Sequence, residues 1–137
     1  MDLNEPVHTS RVRFAETDMQ GIVFYGNYLT YMDVAHNELL RAVGGLPEGV
    51  GEHVVHTEMD YRGQATFEDV VEHYTRFSRV GTASMETEYV ATLEDGTVLV
   101  EGGAVYVAVD DDGGTVELPE SWRASVREYQ DVPPEGV

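Results

Sequence analysis

NYLTYMDVAHNELLRAVGG, residues Asn27–Gly45, decides the fold. Its apolar side chains, Tyr28, Tyr31, Met32, Ala35, Leu39, Ala42 and Val43, recur by threes and fours, the period of one helix face. Asn27 stands where an N-cap belongs, and Gly44-Gly45 where a helix stops. Before it, Val7–Phe14 alternates enough for a short strand, and 15–26 is irregular. After a loop at 46–52, four stretches rich in β-branched and aromatic residues read as strands: 53–62, 69–80, 84–93 and 97–109. Gly81-Thr82, Asp95-Gly96 and the run Asp110–Gly114 supply turn signals. Gly102, Ala104 and Ala108 on the last strand leave room for a helix to lie close. One long helix with a run of antiparallel strands predicts an α+β fold, a sheet of about five strands with the helix on one face. A short amphipathic stretch, 119–129, and a Pro-rich tail from about 131 follow. Neither a repeat nor a linker interrupts this, so residues 1–137 are expected to form one domain.

Composition narrows the function. With 26 Asp and Glu against eight Arg and no Lys, the 137-residue chain carries −18. That charge repels polyphosphate, so nucleic acid is not an expected partner. Apolar residues make up 42%, too many for a disordered acidic tail. No apolar run approaches the roughly 20 residues of a membrane span, so no membrane insertion is expected. The first residues show no basic segment followed by an apolar one, the pattern of a secretory signal. Without cysteine, disulfides, thiolate metal sites and cysteine nucleophiles are excluded. The acidic, lysine-free balance suits a cytoplasmic protein of a salt-rich cell, where molar salt shortens the Debye length to about 3 Å.

Motif chemistry is sparse. G-x-S-x-G, P-loop and G-x-G-x-x-G patterns are missing. His53 and His56 fall on opposite faces of a strand, and Asp110–Asp112 lacks the offsets of a calcium loop, so no metal site is expected. The segment from Arg13 to Tyr28, RFAETDMQGIVFYGNY, stands apart. Asp18 follows a strand, Gly21-Ile22-Val23-Phe24-Tyr25 is too short for a core strand, and the long helix begins just beyond. First-turn amides of a helix are open donors that favour negative charge. A carboxylate facing them supplies what acyl transfer needs: a group that attacks or activates water, and donors for the oxyanion. Equally, Asp18 serves as a turn cap, the commoner use of a loop aspartate. Glu16 reads as one more charge of that loop, whose neutralisation would leave turnover within a few-fold.

The pattern x-D-x-x-G-I-V-F-Y-x-N-Y leading into an amphipathic helix resembles the 4-hydroxybenzoyl-CoA thioesterase family, with its short-chain acyl-CoA relatives. The resemblance runs from about Val7 to about Tyr129 and is most specific over Asp18–Tyr28. It implies a hot-dog fold, a curved antiparallel sheet wrapped around one long helix. It implies a homo-oligomer, a dimer or dimer of dimers joined sheet edge to sheet edge, with the site at the interface. It implies Asp18 as the catalytic carboxylate and the Tyr25 backbone amide as oxyanion donor, helped by the Gly26 amide. Gly21, Ile22, Val23, Phe24, Asn27 and Tyr28 would line the substrate. Relatives carry a basic residue before the glycine of the Ser78–Thr82 turn; here that residue is Val80, leaving Arg79 or Arg76 to meet the CoA phosphates.

These readings predict an acyl-CoA thioesterase releasing acid and CoA without metal or organic cofactor. Asp18 is either nucleophile or general base. A hot-dog hydratase or dehydratase, or a non-catalytic acyl-thioester binding module, would use the same fold. The charge balance makes its own prediction: the melting temperature rises between 0.1 and 1 M KCl, roughly the range over which self-repulsion is screened. Thermal melts across that range check it, and a flat or falling curve rejects the high-salt reading.

Overall fold

The expected helix forms as α1, Asn27–Ala42, in the computed structural model, which describes Leu3 and Glu5–Val137. Its buried face is Tyr28, Tyr31, Met32, Ala35, His36, Leu39 and Leu40, continued by Val43 beyond the last turn. Ala42, expected on that face, is exposed, because Leu40 and His36 complete the stripe instead. The helix stops as the glycines require: Gly44 and Gly45 have φ of +92° and +84°, and the Gly45 amide reaches back to the Leu40 carbonyl at 2.8 Å. Asn27 is not the cap. The helix is wound in by i+3 bonds onto the Phe24, Tyr25 and Gly26 carbonyls, so Asn27 is already its first residue.

The strands are β1 (His8–Arg11), β2 (Gly51–Tyr61), β3 (Val70–Val80), β4 (Ser84–Leu93) and β5 (Val98–Val109), and α2 (Glu120–Tyr129) follows. They form one antiparallel sheet in the order β1-β3-β4-β5-β2, with His8 opposite His73 and Arg11 opposite Val70. The five-stranded sheet with one long helix is the hot-dog architecture. β1 is shorter than expected: the chain turns at Val12, whose amide bonds to the Asp69 carbonyl. β2 is an edge strand, and most of its eleven residues are exposed. The close approach in β5 is at Gly103, where a Cβ would collide with the Thr87 carbonyl oxygen of β4. Among the described residues no helix is long and apolar enough to cross a membrane.

Two compact units divide the chain. The second holds Leu39–Glu58, Arg76–Glu88 and Gly103–Val137. There α2 seats Trp122 edge-on against Phe77 and donates its indole N–H to Gly45, while the buried Gln130 amide bonds both the amide and the carbonyl of Phe77.

The first unit, Met1–Glu38, Met59–Thr75 and Tyr89–Gly102, carries a buried polar cluster. His73 Nδ1 lies 2.7 Å from the Tyr89 hydroxyl and Nε2 2.8 Å from Ser10 Oγ, with the Tyr31 and His8 rings against it. Two hydroxyls can each donate or accept, so neutral His73 is satisfied. Burial, seconded by His8, pushes its pKa down to about 4, against an opposing pull from Glu16. The unfolded value is 6.5, so below it the unfolded chain takes a proton that the folded chain refuses. This stability is therefore complete above pH 6.5 and is lost as pH falls toward 4. Wild-type protein should lose melting temperature more steeply over that window than His73→Gln; equal slopes would refute the account.

Candidate functional site

Everything in the Arg13–Tyr28 segment lies in the first unit. After β1 the chain makes a 3-10 turn, Phe14–Glu16, and then a tight loop. Thr17 bridges Val23, and the Asp18 amide donates to the Ile22 carbonyl at 2.9 Å. The Gly21 amide closes the turn on the Asp18 carbonyl, and Gly21 takes φ +77°, a conformation that a glycine adopts without strain. Ile22 and Val23 run extended, bonded on their other side to Thr66 and Ala65. A short β-like finger results, and its return leads straight into α1.

Asp18 is half-buried. One carboxylate oxygen accepts the Gln20 amide at 2.8 Å, so the residue does cap its turn. Among the described residues its carboxylate accepts no other hydrogen bond. At the far end of the finger the donors are spent unevenly. The Phe24 amide bonds to the Glu16 carbonyl, and the Asn27, Tyr28 and Leu29 amides bond to carbonyls three residues back. Between them, the Tyr25 and Gly26 amides donate to nothing among the described residues. These are the orphan donors of a helix N-terminus, on the side that the helix dipole makes positive.

Two cavities flank the finger. One, of about 740 Å³ and wide open, is lined by Phe14, Ala15, Thr17, Asp18, Met19, Gly21, Phe24 and Asn27. The other, of about 450 Å³, is lined by Ile22, Val23, Tyr25, Tyr28, Tyr61, Arg62, Gly63 and Gln64. Gly21–Tyr25 contributes to both, with Asp18 on the first and Tyr25 on the second. The Tyr25, Tyr28 and Tyr61 rings meet edge to face in the smaller cavity, at 6.2 and 6.1 Å from Tyr61. The Tyr28 hydroxyl is buried there; it faces the Ala65 amide without completing a hydrogen bond of normal geometry. Burial pushes its pKa up to about 12, so it stays a neutral donor. Arg62 is paired with Glu101 at 3.4 Å and Asp60 at 3.8 Å.

Glu16 departs most from the sequence reading. Its carboxylate accepts the Arg13 amide at 2.9 Å and the Tyr31 hydroxyl at 3.0 Å on Oε1, and the Arg13 guanidinium at 3.1 and 3.3 Å on Oε2. Its carbonyl accepts the Phe24 amide and the Asn27 side-chain amide, at 2.9 and 2.8 Å. Burial raises the Glu16 pKa, but these hydrogen bonds and Arg13 outweigh burial and hold it below the usual carboxylate range. Neutralising it is thus no neutral comparison for Asp18.

Of the arginines considered for phosphates, Arg76 is committed to Glu88 and the Val132 carbonyl. Arg79 is exposed, lines neither cavity, and has no side-chain partner among the described residues. Tyr61, Arg62, Gly63 and Gln64 escaped the sequence reading, because β2 comes to the finger only through folding. His53 and His56 are both exposed. Among the described residues no group of three or more His, Asp or Glu is arranged to hold a metal ion. Asp110 Oδ1 accepts the Asp112 and Gly114 amides, as in a tight turn.

Comparison with known proteins adds an independent line. A family model described as "Thioesterase superfamily" matches residues 20–100. A curated protein of Aquifex aeolicus named "Putative esterase" is 30% identical over 94 residues, 65% of this chain and 73% of that one. A solved gentisyl-coenzyme A thioesterase superposes with a TM-score of 0.78 at 26% identity, covering 87% of this chain and 98% of that one. A 1,4-dihydroxy-2-naphthoyl-CoA thioesterase from Synechocystis superposes with a TM-score of 0.79 at 16% identity, over 88% and 94% of the two chains, a likeness of fold.

Proposed function

The chain belongs to the thioesterase superfamily, and from that membership we propose that it is an acyl-CoA thioesterase with Asp18 as its catalytic carboxylate. The supporting observation is the pair of undonated amides, Tyr25 and Gly26, at the start of α1, reached by a short finger from Asp18. A thioester carbonyl oxygen gains charge as the carbon becomes tetrahedral, and open amides at a helix start can stabilise that charge. Asp18 then acts in one of two ways. Its carboxylate attacks the carbonyl carbon, the C–S bond breaks, CoA leaves as thiolate and takes a proton from water, and water hydrolyses the mixed anhydride. Alternatively it removes a proton from water, which attacks directly. The reaction as proposed calls on no metal or organic cofactor.

Gly21, Ile22, Val23, Phe24, Asn27 and Tyr28 wall the two cavities and form the substrate contacts in this reading. Arg79, exposed and without a side-chain partner among the described residues, is assigned to the CoA phosphates. We further read residues 1–137 as one working domain, placed in the cytoplasm of a salt-rich cell. Edge strand β2, largely exposed, is the surface through which copies would pair, since an unpaired edge invites another strand. Light scattering in molar salt should return at least twice the chain mass; a strict monomer at micromolar concentration overturns the assembly.

The chemistry is tested by thiol release from acetyl-, hexanoyl-, benzoyl- and 4-hydroxybenzoyl-CoA. The chain has no cysteine, so a thiol reagent sees only released CoA. Asp18→Asn keeps the shape and the Gln20 bond while removing the charge. Turnover should fall at least about 10²-fold, the low end for a positioned acid–base group, with fold retained. Undiminished turnover in a folded Asp18→Asn protein, or no thiol from any thioester, rejects the assignment.

A further inference from the structure

We propose that Glu16 is the positioning residue of this site: it holds the Asp18 carboxylate and the Tyr25 and Gly26 amides at one fixed separation. The inference rests on the reading of Asp18 and those amides just given. It begins from a problem the finger poses. Attack requires the acyl carbon within about 3–3.5 Å of the attacking oxygen, with the carbonyl oxygen on its donors at the same moment. Asp18 lies on one arm of the finger and Tyr25 and Gly26 at the end of the other. Within the finger the support among the described residues is the Thr17–Val23 bridge, the Asp18–Ile22 and Asp18–Gly21 backbone bonds and the Gln20 amide on the Asp18 carboxylate.

Glu16 ties the two ends together from outside. Its carbonyl oxygen receives the Phe24 amide and the Asn27 side-chain amide. Those residues immediately flank Tyr25-Gly26, so one acceptor brackets both proposed oxyanion donors. The same residue stands two positions before Asp18. Its carboxylate fixes it to the body of the unit: to Arg13 on the strand side, and to Tyr31, one turn into α1. The two anchors differ in strength. Arg13 has a side chain 77% exposed and its ion pair is screened by solvent, whereas the Glu16 side chain is only 15% exposed and Tyr31 is buried. Tyr31 is therefore the firmer anchor, and it couples Glu16 to α1, which carries the donors at its first turn. Glu16 lines neither cavity, though its carbonyl holds two residues that do, so it acts through the finger and is not itself a catalytic residue.

The test is kinetic, with a thioester that wild type hydrolyses. Tyr31→Phe removes one hydroxyl and keeps the packing; kcat should fall about 10-fold, on the scale of one hydrogen bond to a charged group, with KM changed less than about 2-fold, because binding survives and alignment is lost. Glu16→Ala should lower kcat about 10²-fold, the scale of a misplacement of about 1 Å. The double variant should be no slower than Glu16→Ala alone, since Tyr31 works through Glu16. Amide exchange supplies a readout apart from activity: Phe24 N–H should exchange faster in Glu16→Ala, while the β4 amides keep their protection. Suppose Asp18→Asn is inactive but both other variants retain wild-type kcat: the positioning role falls and the thioesterase reading stands. Multiplicative losses in the double variant, or a loss expressed in KM with kcat intact, likewise overturn it. If Glu16→Ala fails to fold, Tyr31→Phe and its KM-against-kcat split decide. If Asp18→Asn is active, both readings fall together.

Discussion

One oxygen accepting two donors sets the shape of this site. The Glu16 carbonyl takes the Phe24 amide and the Asn27 side chain, and this converts an irregular segment into a defined entrance to α1. Backbone polar groups near a core must be satisfied, and a loop has no ladder to do it. Here the Phe24, Asn27, Tyr28 and Leu29 amides are satisfied, while the Tyr25 and Gly26 amides between them donate to nothing among the described residues. Donors left open at the start of a helix lie where the helix dipole favours negative charge. Beneath them, Tyr31 and His73 extend a polar cluster from Glu16 through the first unit to Ser10 and Tyr89. Such a cluster specifies one arrangement strongly, because a partly satisfied version is costly.

The charge balance takes on a structural sense once the partners of the arginines are known. Arg11 bonds the Glu68 carbonyl, Arg76 the Val132 carbonyl, and Arg123 the Leu118, Gly81 and Gly136 carbonyls. A guanidinium offers five donors in a rigid fork and can staple several carbonyls at once, which an ammonium on a flexible stem does less well. The ion pairs of Arg13, Arg62 and Arg127 are solvent-facing and each contributes little. Arg11, Arg76 and Arg123 thus serve loop geometry as well as charge.

α1, its glycine stop, the four later strands and their turns were legible because each is specified locally. Periodicity names the buried face within one element, and chirality demands glycine at positive φ. Asp18 was legible as a residue of interest for the same reason, and of its two sequence readings the turn cap is the one visible in its hydrogen bonding. Asn27 was misread as a cap because its partner, the Glu16 carbonyl, is eleven residues back on a finger whose path has no sequence signature. Glu16 was passed over because a charge in an acidic chain looks like any other until Tyr31 and Arg13 are seen to converge on it.

Sequence alone determined the element types, the glycine stop of α1, the absence of thiol chemistry and the segment that resembles a thioesterase. These follow from properties carried by neighbouring residues: spacing, glycine placement, composition and a contiguous motif. Tertiary structure alone decided which wall Tyr61, Arg62, Gly63 and Gln64 supply, that Arg76 is committed while Arg79 stands exposed, that Ala42 faces solvent, and which two amides at the mouth of α1 stay open. Each of those depends on where residues tens of positions apart come to rest. A donor is free only when every acceptor within reach has been assigned elsewhere, and that assignment is made by the folded chain as a whole.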